Sequence, residues 1–157
     1  MKCLMLILLT FYTGFFASGQ KVGAITLNNL DKRIANGKDT TYIINFWATW
    51  CAPCIKELNS FEKLDKAYKN EKLKVLLISV DFKSKLNNTL TNFVKKQNIK
   101  SEVFLLNENN EQEYINRIDT SWSGAIPATL FIKKDHRKFF EKEFTYDELV
   151  KEYQSIK

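Results

Sequence analysis

Residues 42–47 read Tyr-Ile-Ile-Asn-Phe-Trp, a compact run of β-branched and aromatic residues without apolar–polar alternation. Such a run predicts a strand buried on both faces, and that requires helices packed above and below its sheet. Residues 73–80 repeat the pattern. Between them the spacing turns helical from Ala52, with Ile55, Leu58, Phe61, Leu64 and Tyr68 recurring every three or four residues. Residues 24–27 read as a short edge strand, and 30–34 as a helical turn or two ending at Gly37. Leu86, Leu90, Phe93 and Val94 mark another helix face, 103–106 a strand, and Tyr114, Ile115 and Ile118 a short helix. Residues 128–132 and 139–144 are expected to form an antiparallel hairpin around the polar stretch 133–138. Thr145-x-x-Glu148 is a capping-box signal that opens a last helix carrying Leu149, Val150 and Tyr153. Interleaved helices and buried strands predict an α/β fold, a central mixed sheet with parallel crossovers and an antiparallel edge.

The N-terminus has a different character. Lys2 gives one positive charge, 4–16 is almost wholly apolar, and Ala17-Ser18-Gly19 supplies small residues. This is the pattern of a secretory signal peptide over 1–19, cleaved after Gly19, which leaves residues 20–157 as a single domain beginning at Gln20. The apolar stretch is short for a bilayer span of about 20 residues; an uncleaved membrane anchor is the alternative. Cys3 has no apolar run before it and is not a lipoprotein attachment cysteine. Repeats, Pro- or Ser-rich linkers and composition breaks are absent after Gln20.

Composition narrows the classes further. With 45% apolar residues, five glycines and two prolines, the chain is neither disordered nor collagenous. Its length suffices for a core without disulfide staples, and that core is expected to be purely hydrophobic. The charge of +6 is spread, with lysines beside glutamates at 56–57, 62–63 and 142–143. That describes a solvated surface rather than a basic stripe, so nucleic acid is not an expected partner.

Three cysteines make no disulfide framework. Cys3 leaves with the signal segment, and Cys51 and Cys54 remain, in Trp50-Cys51-Ala52-Pro53-Cys54, where the buried strand ends and helical spacing begins. A helix N-terminus offers unpaired N–H groups and a positive dipole end, which stabilise a thiolate. Cys51 is then the exposed nucleophile, and Cys54, one turn on and more buried, resolves the mixed disulfide. Pro53 fits the first turn without loss of a helical hydrogen bond. A zinc site needs two further ligands, and the mature chain offers only His136. Two thiolates with His136 leave a copper-binding module as a rival reading. His136 otherwise reads as a solvated hairpin-loop residue, and Asn87-Asn88-Thr89 as a chance glycosylation sequon.

The segment Asn45-Phe46-Trp47-Ala48-Thr49-Trp50-Cys51-Ala52-Pro53-Cys54 resembles the active-site segment of thioredoxin-fold proteins, and among them the exported TlpA/ResA-like thiol-disulfide oxidoreductases. Gly124-Ala125-Ile126-Pro127-Ala128-Thr129-Leu130-Phe131-Ile132 resembles that family's cis-proline segment. The resemblance runs from about Thr40 to the C-terminus. It implies a thioredoxin-like fold with an extra helix and strand, placed at 83–118, before the cis-proline. It also implies a cis Ile126-Pro127 bond beside the cysteines, with the Ile126 backbone offered to an extended substrate strand; a trans proline starting an edge strand is the alternative. Asn45 stands where thioredoxins proper carry a buried Asp, and an amide cannot titrate. Glu57 matches an active-site glutamate of ResA-like proteins, is the i+3 neighbour of Cys54, and would relay its proton; an exposed glutamate beside Lys56 is the alternative. Trp50 is expected beside the substrate groove, Trp47 in the core, and Trp122 in either place.

The resemblance further implies a reductant of cysteines in other exported proteins, of the kind that serves cytochrome c maturation. An envelope electron donor, itself a membrane thiol-disulfide protein, would re-reduce it, since the chain carries no nicotinamide or flavin motif and no cofactor is expected. A DsbA-type oxidant would use the same residues in reverse. A peroxiredoxin-like peroxidase fits less well, because that family's threonine lies three residues before its cysteine and Thr49 lies two before Cys51.

Overall fold

The computed structural model describes residues 22–157. The signal-peptide reading of 1–19, with Cys3, lies outside them. The elements in chain order are β1 (Gly23–Ile25), α1 (Leu27–Asn36), β2 (Thr41–Trp47), α2 (Ala52–Ala67) and β3 (Leu73–Ser79). After a segment of tighter and wider turns come α3 (Thr91–Lys96), β4 (Glu102–Leu106), α4 (Glu111–Ile118), β5 (Ala128–Lys133), β6 (His136–Phe140) and α5 (Tyr146–Ile156).

The six strands form one sheet in the order β1-β4-β3-β2-β5-β6. β1, β4, β3 and β2 run parallel, while β5 and β6 are antiparallel. This is the expected thioredoxin-like architecture. The extra strand, β4, sits between β1 and β3 and extends the sheet on the side away from the hairpin.

All seven residues of β2 are buried, as an uninterrupted apolar run requires. Period-two alternation sends Ile43 and Trp47 to the face covered by α2 and α5, beside Leu58, Phe61 and Tyr153. Ile44 and Phe46 face the other layer, with Leu27, Leu30, Ile115 and Trp122. Asn45 shares the parity of Ile43 and Trp47, so it enters the α2 layer.

The core is therefore not purely hydrophobic, contrary to the expectation from composition: Asn45, Glu57, Ser79, Asp81 and Thr129 are all buried. The helix stripe shifts with it. Glu57 occupies the inward face of α2 together with Cys54, Leu58, Phe61 and Leu64, while Ile55 is half-exposed. Apolar spacing alone misplaced that face because a buried carboxylate is invisible to a hydrophobicity count.

The hairpin also differs from expectation. β6 begins at His136, directly after a two-residue turn in which Lys134 takes a positive φ of 54°. Its register pairs Lys133 with His136 and Thr129 with Phe140. Polar residues in the first half of β6 disguised it as a loop, but charge is what an unpaired edge strand carries against further pairing. His136 is thus a strand residue. Phe144, expected at the end of that strand, lies beyond it and is fully buried.

The helix expected around Leu86–Leu90 is not a regular one. Lys83–Lys85 form a 3-10 turn and Leu86–Leu90 a π turn, where the Thr91 hydroxyl donates to the Leu86 carbonyl at 2.6 Å, before α-geometry starts at Thr91.

The capping box forms as the sequence indicates: Glu148 N–H donates to Thr145 Oγ1, and Thr145 N–H to Glu148 Oε2 at 2.8 Å. Thr145→Ala is expected to lower stability by about 1 kcal/mol. Urea unfolding should read this as a lower midpoint with an unchanged slope.

Candidate active site

The site is built where β2 hands the chain to α2. Cys51 N–H donates to the Ala48 carbonyl at 3.1 Å, closing a tight turn over 48–51, and Cys51 becomes the N-cap of α2. Its sulfur accepts the Cys54 backbone N–H at 3.3 Å, one of the orphan donors of the first helical turn. Pro53, which has no N–H to lose, occupies that same turn. Cys51 and Cys54 are joined by a disulfide with an S–S distance of 2.01 Å. Cys51 is 5% exposed and Cys54 fully buried, so Cys51 is the outer of the two but is itself largely enclosed, not the exposed residue that the sequence predicts. Trp50, beside it, is 66% exposed.

The Ile126–Pro127 bond is cis. The Ile126 carbonyl oxygen lies 3.8 Å from the Cys51 sulfur, so the two segments singled out in the sequence meet although they lie 75 residues apart. Alongside them a cavity of about 860 Å³ is lined by Trp50, Phe82, Tyr114, Trp122 and Ile126, with Asp81, Glu108 and Glu111 on its polar walls. Phe82 is 78% exposed there and was not anticipated. Trp122 serves both roles considered for it: it stacks on Phe46 at 5.0 Å, donates its indole N–H to the Ala125 carbonyl at 2.7 Å, and lines the cavity.

Glu57 is 1% exposed, which overturns the reading of a surface glutamate beside Lys56. Lys56 instead pairs with Glu143 at the surface, at 2.7 Å. Glu57 Oε1 accepts from Asn45 Nδ2 and Oε2 from the Phe144 N–H, each at 2.7 Å. Asn45 Nδ2 also reaches Thr129 Oγ1 at 3.1 Å, its register partner across β5. Burial pushes the Glu57 carboxyl up to about 7, against the lowering effect of the Phe144 and Asn45 hydrogen bonds, with a small further rise from Glu143. Asn45, Thr129 and Phe144 were not foreseen as its partners. One signal existed for Asn45, a lone amide in an otherwise apolar strand.

His136 lies at the far end of the hairpin, opposite Lys133, a strand length of about 17 Å from the Ala128 end of β5 next to Pro127. The ligand set needed by the copper reading is not brought together. Among the described residues no group of three His, Cys, Asp or Glu side chains is placed to hold a metal ion.

A thioredoxin-like sheet that carries a bonded Cys-x-x-Cys pair at the start of α2, with a cis-proline segment against it, defines the class of thiol-disulfide oxidoreductases. The chain belongs to the AhpC/TSA family, whose model matches residues 15–137. It is 27% identical over 135 residues to a thiol-disulfide oxidoreductase ResA of Bacillus cereus, covering 80% of this chain and 73% of that one. A DsbF homologue from Corynebacterium diphtheriae superposes with a TM-score of 0.64 at 27% identity, over 78% of this chain and 75% of the other. A thioredoxin-related protein from Neisseria meningitidis serogroup B shares the fold with a TM-score of 0.66, at 23% identity over 76% and 86% of the two chains. By its fold, its cysteine pair and these relatives, the protein is a thiol-disulfide oxidoreductase.

Proposed function

We propose that the protein works as an exported reductant of disulfides in other envelope proteins, with Cys51 as nucleophile, Cys54 as resolving thiol and Glu57 as proton relay. The observation that carries this reading is the placement of the Cys51 sulfur, at the α2 N-terminus and 3.8 Å from the Ile126 carbonyl, with Cys54 buried behind it. In the reduced protein the Cys51 thiolate attacks one sulfur of a substrate disulfide. A Cys51–substrate bond forms, the substrate bond breaks, and the other substrate sulfur leaves as a thiolate that takes up a proton. Cys54, losing its proton toward Glu57, then attacks the Cys51 sulfur and releases the second substrate thiolate. Two electrons pass to the substrate, and the protein ends with the Cys51–Cys54 disulfide.

The substrate segment lies against the Ile126 backbone beside Pro127, flanked by Trp50, while Pro53 stiffens the turn that presents the sulfur. A thiol protein of the envelope restores the dithiol. Export is supported by the signal-like sequence of 1–19; among the described residues, no helix is long and apolar enough to cross a membrane. A role in cytochrome c maturation follows the ResA resemblance.

The reductive direction has a physical support. Thiolate stabilisation makes a pair oxidising, and here the Cys51 sulfur accepts a single backbone N–H among the described residues, while the ionisable group that α2 buries one turn after Cys54, Glu57, is an acid rather than a cation. Equilibration with a glutathione buffer is expected to place the couple nearer thioredoxin, at about −270 mV, than DsbA, at about −120 mV. A value at the DsbA end would replace the reductant with the oxidant reading.

A further inference from the structure

The turn that presents Cys51 is held from outside its own strand and helix. Asp81, two residues beyond the last residue of β3, is 5% exposed and points its carboxylate at the residue that follows Ala48. Oδ2 accepts the Thr49 backbone N–H at 2.9 Å, and Oδ1 accepts the Thr49 hydroxyl at 2.8 Å. The Ser79 hydroxyl donates to Oδ2 at 2.7 Å, and Ser79 Oγ in turn accepts the Asp81 N–H at 3.0 Å, which fixes the carboxylate to its own strand end. Between these, the Val80 N–H donates to the Trp47 carbonyl at 2.8 Å, the last bond that links β3 to the chain entering the turn. Neither the cysteine chemistry nor the Glu57 network uses this cluster, and a buried, fully bonded carboxylate is a costly thing to keep without a purpose.

We propose that Asp81 is a positioning residue for disulfide exchange: through Thr49 it locks the 48–51 turn, so that the Cys51 sulfur is held over the first turn of α2 and toward the Ile126 carbonyl. The proposal rests on the reading of Cys51 as nucleophile. Thr49 occupies the first corner of the turn closed by the Cys51–Ala48 hydrogen bond, and Asp81 grips that corner by backbone and side chain together. A turn held at its corner cannot swing the sulfur away from the Cys54 N–H, and that donor is the one that stabilises the thiolate. Bidentate holding of Thr49 also sets the direction of Trp50, which borders both the sulfur and the cavity.

The charge of Asp81 and its grip act in opposite senses, and this makes the role testable. A carboxylate near a thiol disfavours the thiolate, so removing the charge alone would lower the Cys51 titration; releasing the turn would raise it. The measurement is the pH dependence of iodoacetamide alkylation of Cys51 in the reduced full-length protein, with the modified cysteine identified by peptide mass and a thermal melt run alongside. Asp81→Ala and Thr49→Val are each expected to raise the Cys51 titration by about one unit, which is about tenfold less thiolate and tenfold slower alkylation below it. Asp81→Asn, which keeps an oxygen for the Thr49 N–H, is expected to recover at least half of that shift. The role is overturned if Asp81→Ala and Asp81→Asn both lower the titration, if Thr49→Val leaves it unchanged, or if the variants melt earlier with Cys51 titrating as in the wild type. Should Asp81→Ala fail to fold, Thr49→Val and Asp81→Asn decide the matter by the same criteria. Failure of the underlying function is read separately, as a wild-type protein that does not exchange with a small disulfide although its Cys51 alkylates normally.

Discussion

Cys51→Ala is expected to abolish disulfide exchange, while Cys54→Ser keeps the first attack and stalls as a mixed disulfide with its substrate. The difference follows from depth. Cys51 keeps a small exposure, 5%, with its sulfur 3.8 Å from the Ile126 carbonyl, whereas Cys54 has none and is bonded to the sulfur one helical turn away. On the proposed roles a substrate bonds to Cys51, and Cys54 displaces it. With either cysteine removed the loss of net turnover should be at least a thousandfold, since no other described residue offers a second thiol. Non-reducing gels of the envelope fraction, followed by mass identification of the trapped species, read the second variant. Adducts that form through Cys54, or turnover that survives Cys51→Ala, would reverse the assignment.

The second large effect belongs to Glu57. Its carboxyl titrates near 7 in the folded protein, against 4.5 as the ordinary value, so in this window the native state holds a proton that the unfolded chain has lost. The contribution of this one group to stability is then highest below about 4.5, falls as pH rises toward 7, and levels off above it. The fall amounts to about 3 kcal/mol at 1.36 kcal/mol per unit. Glu57→Gln cannot titrate and should make this contribution flat across the window, so the difference between wild type and variant changes with pH in chemical-denaturation midpoints.

The same substitution tests the relay. It should slow the resolving step by about a hundredfold near neutral pH, the lower range of general acid–base contributions, while attack by Cys51 on a small disulfide proceeds at the wild-type rate. An equal loss in both steps would mark a structural role instead. Among the described residues Asn45 Oδ1 is a buried acceptor without a hydrogen-bond partner, so the variant's amide has a site to donate to if the Asn45 amide reverses. Folding of the variant is thereby favoured.

The relation of sequence to structure is clearest at Asn45 and Phe144. The apolar run placed Asn45 in a strand buried on both faces, and strand parity alone aimed it at the α2 side. Nothing local linked it to Glu57, twelve residues on, or to Thr129 across the sheet. The aromatic run predicts a strand that ends at Phe144; its N–H instead leaves the hairpin and bonds a carboxylate 87 residues earlier. Asp81 escaped for a similar reason, since a polar residue after an apolar run reads as a loop until the turn it grips is seen in space.

By itself the sequence determined what periodicity and spacing encode. The alternation of buried strands and amphipathic helices, the Cys51–Cys54 pair at a helix start, Pro53 in the first turn and the Thr145–Glu148 box are all local, set by residues within one or two turns of each other. Tertiary structure alone decided which polar groups leave water. Glu57, Asn45 and Thr129 become a buried network, and Asp81 a clamp on Thr49, because hydrogen-bond partners for a desolvated group must come from whatever chain the fold brings alongside, and that distance in space is not written in distance along the sequence.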